Sequence, residues 1–225
     1  MVTKEMLFDD SSVNIFTDAS IRYNGNEQIG CPGYIVTIGD NVVDIGCQIY
    51  RHSTSNRAEI SAVKMGVDIA AKYQNFKYIR LFSDSQLCIF GLRERIYNWV
   101  KKIKNNQLCG YNGKPIINQD IFVEIAFMIV YNNIRVEFFH QRGHINILSP
   151  HDIQVAKNDF IRYNSINADI SDDLIERISY YNNMVDNYTR DILNSTNIDI
   201  MLYQDACRFI YNKNFDITKY KDLTH

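Results

Sequence analysis

Three carboxylates stand where apolar segments run out. Asp18 follows the core-like residues of NIFTDAS (14–20), Asp84 ends the apolar run of IRLFSDSQ (79–86), and Glu59 lies in TSNRAEISA (54–62), in the first turn of an expected helix. A carboxylate at the end of a core strand is costly to bury unless a partner, hydrogen bonds or a metal compensates it. Brought together at the ends of two adjacent strands and the start of a packed helix, three such groups would repel one another unless a divalent cation sat between them. Oxygen donors without nitrogen or sulfur suit Mg²⁺ or Mn²⁺. Each acid also has a plain structural reading. Asp18 can begin a turn, Asp84 can cap a helix starting at Ser85, and Asn56 with Glu59 fits an amino-terminal capping arrangement.

The elements that must position these acids follow from periodicity. Residues 13–19 read as a strand, and GYIVTIGDNVVDIGCQI (33–49) as two strands about a turn at Asp40-Asn41. Ile60, Val63, Val67 and Ala70 keep helical spacing, which predicts a helix from Asn56 to about Tyr73. KYIRLFSD (77–84) is a further strand, followed by short helices over 85–104 and a Gly/Pro-marked loop, CGYNGKP. A helix over 119–131, a strand over 133–139 and a helix from about Ile178 to Leu193 complete the pattern, while 145–180 is acidic and less periodic. Strands interleaved with helices in this order imply an α/β fold, a mixed sheet with helices on its faces.

Composition narrows the class. The chain has 225 residues, 46% of them hydrophobic, with 15 Tyr and 12 Phe, enough for a sizeable core in one domain with additions. Five scattered cysteines (Cys31, Cys47, Cys88, Cys109 and Cys207) form no CxxC pair, which disfavours a disulfide framework or zinc site and points to a reducing compartment. The start, MVTKEMLFDD, lacks a signal-peptide core and no apolar run reaches membrane-spanning length, so a soluble intracellular protein is expected, with no signal separating cytoplasm from nucleus. The overall charge is only −2, yet residues 85–119 carry Arg93, Arg95, Lys101, Lys102, Lys104 and Lys114 against Glu94 alone, a local +5. A basic patch can serve nucleic acid whatever the total.

Seven segments, in order, resemble the ribonuclease H family of type 1. They are FTDAS (16–20), TSNRAEISA (54–62), FSDSQ (82–86), YNWVKK (97–102), GKPIINQD (113–120), FFHQRGH (138–144) and NNMVDNYTR (182–190). The resemblance implies a ribonuclease H-like mixed five-stranded sheet flanked by helices, with a catalytic domain over 13–194. It implies Asp18, Glu59, Asp84 and Asp186 as ligands of two Mg²⁺ ions, replaceable by Mn²⁺, and His144 as an assistant in proton transfer or product release. The implied reaction is hydrolysis of the RNA strand of an RNA–DNA hybrid, leaving 5′-phosphate and 3′-hydroxyl ends. Asn56 and Gln86 would read 2′-hydroxyls, and Asn182 would reach substrate. Trp99 with Lys101, Lys102 and Lys104 would hold the DNA strand, and Thr54 a DNA phosphate.

Between His144 and Asp186 lie 41 residues, far more than the family carries, so the chain is expected to hold an insertion at about 145–180. That leaves two candidates for the fourth acid. Asp152 lies eight residues after His144, but Ser149-Pro150 marks a turn or helix start there. Asp186 has Asn182 four residues before it and Arg190 four after, which groups the three near one helical face. Other readings of the chain are a non-catalytic module of this fold and a DNA-directed nuclease of the same superfamily. No protein partner is implied, and the tail over 195–225 has no assigned role.

Overall fold

The computed structural model of the chain describes residues 8–101, 107–130 and 132–195. The tail beyond Ser195, with Cys207, and the positions of Lys102 and Lys104 lie outside them. The described elements are β1 (Ser12–Asn24), β2 (Glu27–Ile38), β3 (Asn41–Cys47), α1 (Ser55–Ala70), β4 (Tyr78–Ser83), α2 (Gln86–Phe90), a π-helical turn (Gly91–Arg95), α3 (Ile96–Lys101), α4 (Gln119–Val130), β5 (Glu137–His140), α5 (Pro150–Tyr163) and α6 (Asp172–Ser195). The five strands form one mixed sheet in the order β3-β2-β1-β4-β5. The β1–β2 and β2–β3 pairs are antiparallel, and β1–β4 and β4–β5 are parallel.

Strand alternation sends successive side chains to opposite faces of this sheet. Phe16, Ile35 and Phe82 face α5 and α6, whereas Ile15, Val36 and Leu81 face α1 through α4. Ile60, Val63 and Val67 of α1 are almost wholly buried in the second layer, each contributing roughly 2 kcal/mol of apolar burial. The first layer is joined by stacked rings: Phe82 with Phe16 and Phe139, and Phe160 of α5 with Phe139 and Phe82.

Several boundaries differ from the sequence expectations. β1 does not end near Asp18. It continues to Asn24 and returns as β2 through a turn at Gly25-Asn26, where Gly25 takes φ +59°. The second turn lies at Gly39-Asp40, one residue earlier than the Asp40-Asn41 reading, because Gly39 supplies the left-handed φ of +56°. β5 begins only at Glu137. The segment 145–180 contains α5 and the first turns of α6, with Ile153, Ala156 and Phe160 buried. Ser149 caps α5 by accepting from the Asp152 N–H at 3.3 Å, and Pro150 occupies its first turn.

Candidate active site

Parallel pairing between β1 and β4 stops at Phe16–Phe82. Asp18 is the second residue beyond that pair on β1, and Asp84 the second beyond it on the other strand, just after β4 ends at Ser83. Both carboxylates therefore sit where the two parallel strands part, Asp84 at the carboxyl end of β4 and Asp18 midway along β1, the edge at which open α/β sheets place their sites. Glu59 enters from the first turns of α1. None of the three has the plain role open to it in the sequence. Asp18 lies within β1 opposite Gly33, the cap of α1 is Thr54, and Ser85 rather than Asp84 precedes α2. Glu59 accepts a hydrogen bond from the Ser85 hydroxyl at 2.7 Å.

The fourth acid comes from α6. That helix crosses the sheet over Gly33, where an added Cβ would lie 2.5 Å from Cγ2 of Thr189, and the Thr189 and Ser20 hydroxyls are 2.9 Å apart. Because Gly33 is the register partner of Asp18, the close crossing brings Asp186, three residues before Thr189, to the same end of the sheet. Asp152 lies in the first turn of α5, and it is Asp186 whose charge bears on Asp18 and Asp84.

Electrostatics separate these acids. Burial pushes the Asp18 carboxyl well above its ordinary range, and Asp84, Asp186 and Glu59 add to the effect, while the Ala19 N–H opposes it at 2.7 Å from Oδ1. Burial, then Glu59, lifts Asp84 to about 6, with His144 opposing and Asp186 adding to the rise. Asp186 is ion-paired with Arg190 on its own helix, and the Nδ1 of His144 lies 3.6 Å from its Oδ2. His144 itself is exposed, at φ +54°, on the turn after β5. The preceding Gly143 passes so near Asp84 that an added Cβ would clash with its Oδ2.

Among the described residues, no three His, Cys, Asp or Glu side chains close into a finished metal cage. The donor set nevertheless fits a hard divalent cation. All four groups are carboxylates, and Asp18 is raised chiefly by burial and by like charges, a cost that a cation at this end of the sheet relieves.

With this geometry in place, a family model of RNase H matches residues 10–159, two thirds of the chain. The chain belongs to the RNase H family. Ribonuclease H of Rickettsia felis is 30% identical over 138 residues, which cover 61% of this chain and 82% of that protein. Ribonuclease H1 of Mus musculus is 28% identical over 133 residues, covering 59% of this chain but only 44% of its own length, so the chain spans less than half of that mammalian relative. The fold of this chain is also similar to part of a foamy viral protease–reverse transcriptase solved in complex with an RNA/DNA hybrid, at a TM-score of 0.52 and 15% identity, over 75% of this chain and 21% of that one. The family match ends within α5 and does not reach Asp186 on α6.

Other residues singled out by resemblance to the RNase H family divide into two groups. Thr54, Asn56 and Gln86 are exposed beside the acids, although Thr54 also accepts from the Arg57 N–H at 3.2 Å as the cap of α1. Two differ from the expectation of substrate contact. Trp99 is buried at 7% exposure, edge-on to Phe122 with ring centroids 5.1 Å apart, because the apolar faces of the π-helical turn and α4 close over it. Asn182 is 1% exposed and accepts from the Gln141 side-chain amide, which ties α6 to the turn after β5. Lys101 ends α3, while Lys102 and Lys104 lie outside the described residues.

Sequence reasoning missed His140 and Gln141. Both are buried, and His140 Nε2 lies 3.1 Å from the Asp84 carbonyl oxygen. Their signal was present as the polar residues of FFHQRGH directly after an apolar strand, but it was overshadowed by His144.

Proposed function

We propose that the chain is an endoribonuclease that hydrolyses the RNA strand of RNA–DNA hybrids, acting over residues 13–194. The observation that carries this reading is the convergence of four carboxylates from β1, β4, α1 and α6 at one end of the sheet. Asp18, Glu59, Asp84 and Asp186 would hold two Mg²⁺ ions, or Mn²⁺ in their place. Bound there, the ions would supply an activated water and charge stabilisation for the departing 3′ oxygen, giving 5′-phosphate and 3′-hydroxyl ends.

The chain's own groups account for selection and proton movement. Asn56 and Gln86 flank the acids with exposed amides that can both donate to and accept from a 2′-hydroxyl, the group by which RNA differs from DNA. His144, exposed and beside Asp186, can carry a proton between the site and solvent. Lys101, Lys102 and Lys104 would bind phosphates of the DNA strand without reading sequence. Trp99, buried edge-on against Phe122, packs α3 against α4.

Incubation with matched RNA–DNA, RNA–RNA and DNA–DNA duplexes in Mg²⁺ tests the reading. RNA-strand cleavage confined to the hybrid is expected. Binding of the hybrid without cleavage would favour a non-catalytic module, and cleavage of DNA–DNA would favour a DNA-directed nuclease.

A further inference from the structure

β5 is the edge strand of the sheet, so its outer backbone groups need partners from outside the sheet. At His140 they are met by one side chain from the segment 145–180, read from the sequence as an insertion. The Asn164 side chain accepts from the His140 N–H at 2.9 Å and donates to the His140 carbonyl at 2.7 Å. Its remaining capacity is also used: Nδ2 donates to the Phe160 carbonyl at 2.9 Å, and Oδ1 accepts from Nη1 of Arg93 at 3.0 Å. The amide orientation is fixed by these partners, since a backbone N–H only donates and a carbonyl only accepts. The same Arg93 nitrogen donates to the Tyr163 carbonyl at 3.2 Å. Asn164 thus acts as a one-residue extension of the sheet, held from α5 on one side and from the π-helical turn on the other.

The strand end fixed in this way leads to the acids. The His140 ring stacks on Phe90 and meets Tyr163 edge-on, and its Nε2 lies 3.1 Å from the Asp84 carbonyl. A carbonyl only accepts, so Nε2 carries the hydrogen. One residue on, the Gln141 N–H donates to the Ser83 carbonyl at 3.1 Å. Both peptide units flanking Asp84 are therefore tethered to the end of β5.

We infer that Asn164 and His140 are positioning residues, through which the segment 145–180 fixes the backbone of Asp84 and so the geometry of the cation site. The inference rests on the proposed metal site, and metal binding tests it separately from cleavage. His140→Phe keeps a ring between Phe90 and Tyr163 but loses the donor to Asp84, whereas His140→Gln carries an amide donor of similar reach. Mn²⁺ binding is measured by calorimetry on the full chain without substrate, with thermal melting in chelator as the control for folding. Groups that orient ligands from behind typically carry 10–100-fold in affinity, so His140→Phe is expected to weaken Mn²⁺ about ten-fold or more, and His140→Gln to recover to within about three-fold of the parent. Asn164→Asp, which sets a carboxylate oxygen against the His140 and Phe160 carbonyls, should weaken Mn²⁺ in the same direction. Combined with His140→Phe it should add little, because the two lie on one chain of contacts. Unchanged Mn²⁺ affinity in His140→Phe would overturn the inference, as would equal weakening by Phe and Gln. If the parent binds Mn²⁺ but cleaves no hybrid, the proposed activity falls while the positioning role is still decided by the binding series.

Discussion

The acids at the end of the sheet and the acid on α6 are compensated in different ways. Asp18 and Asp84 are raised by burial and by their neighbours, and no basic side chain bonds to either carboxylate in the described structure. Asp186 has a counterion of its own in Arg190, one helical turn away, with His144 at 3.6 Å. For the pair at the sheet end, ionisation is therefore costly until a cation relieves it, whereas Asp186 would have to share its carboxylate between a basic partner and any cation. On the proposed reading, the sheet would set where a cation binds and α6 would adjust how tightly.

Four experiments bear on that contrast. The largest effect belongs to the strand pair: Asp18→Asn should reduce hybrid cleavage by on the order of 10³-fold, comparable to removing a principal electrostatic stabiliser, while hybrid binding persists. Single-turnover rates with binding measured in parallel check this, and a loss of less than ten-fold would remove Asp18 from the site. Next comes the choice of fourth acid. Asp186→Asn should cost about 10²-fold in cleavage rate, whereas Asp152→Asn, which leaves the Ser149 cap to a backbone N–H intact, should cost less than about three-fold. Reversed phenotypes would place the catalytic helix at α5.

Smaller effects sharpen the comparison further. Arg190→Gln releases Asp186 from its ion pair and should lower the Mg²⁺ concentration needed for half-maximal cleavage by about two- to five-fold, the range an exposed pair carries. No change would mean that Asp186 does not contribute to the site. The smallest effect is on stability without metal. Asp84 rises to about 6 from an ordinary 3.8, so its contribution is most favourable below the ordinary value and is lost as pH climbs through about 6. In chelator at pH 7.5, Asp84→Asn should thus melt about 2–4 °C above the parent, with the advantage gone near pH 4. Added Mg²⁺ should reverse the order at pH 7.5.

How far the sequence revealed this arrangement varies along the chain. Asp18, Glu59 and Asp84 were legible because each follows a strong local signal, an apolar strand or a helix start, and neighbouring parallel strands bring such ends together. The long β1–β2 arm was missed because Asn24-Gly25 lies in a polar stretch, where the alternation that marks a strand is weak. Helix α5 was hidden in an acidic segment, although Ile153, Ala156 and Phe160 hold its buried face. Trp99 and Asn182 were read toward solvent because residue type suggests chemistry, whereas their burial follows from tertiary packing that local sequence does not encode. Asn164 gave no signal at all: its role exists only because β5 is an edge strand whose neighbour is a side chain.

On the proposed reading, the four carboxylates form one cation site whose loading drives cleavage of RNA in a hybrid. The most direct measurement follows an RNA–DNA hybrid labelled on each strand, incubated with the parent chain and Asp84→Asn in Mg²⁺ and in chelator, with binding quantified in the same samples. The account predicts that the parent cuts only the RNA strand, only with Mg²⁺, leaving 5′-phosphate ends, and that Asp84→Asn binds the hybrid but does not cut it. Near-normal cleavage by Asp84→Asn, or cleavage that survives chelation, would contradict it.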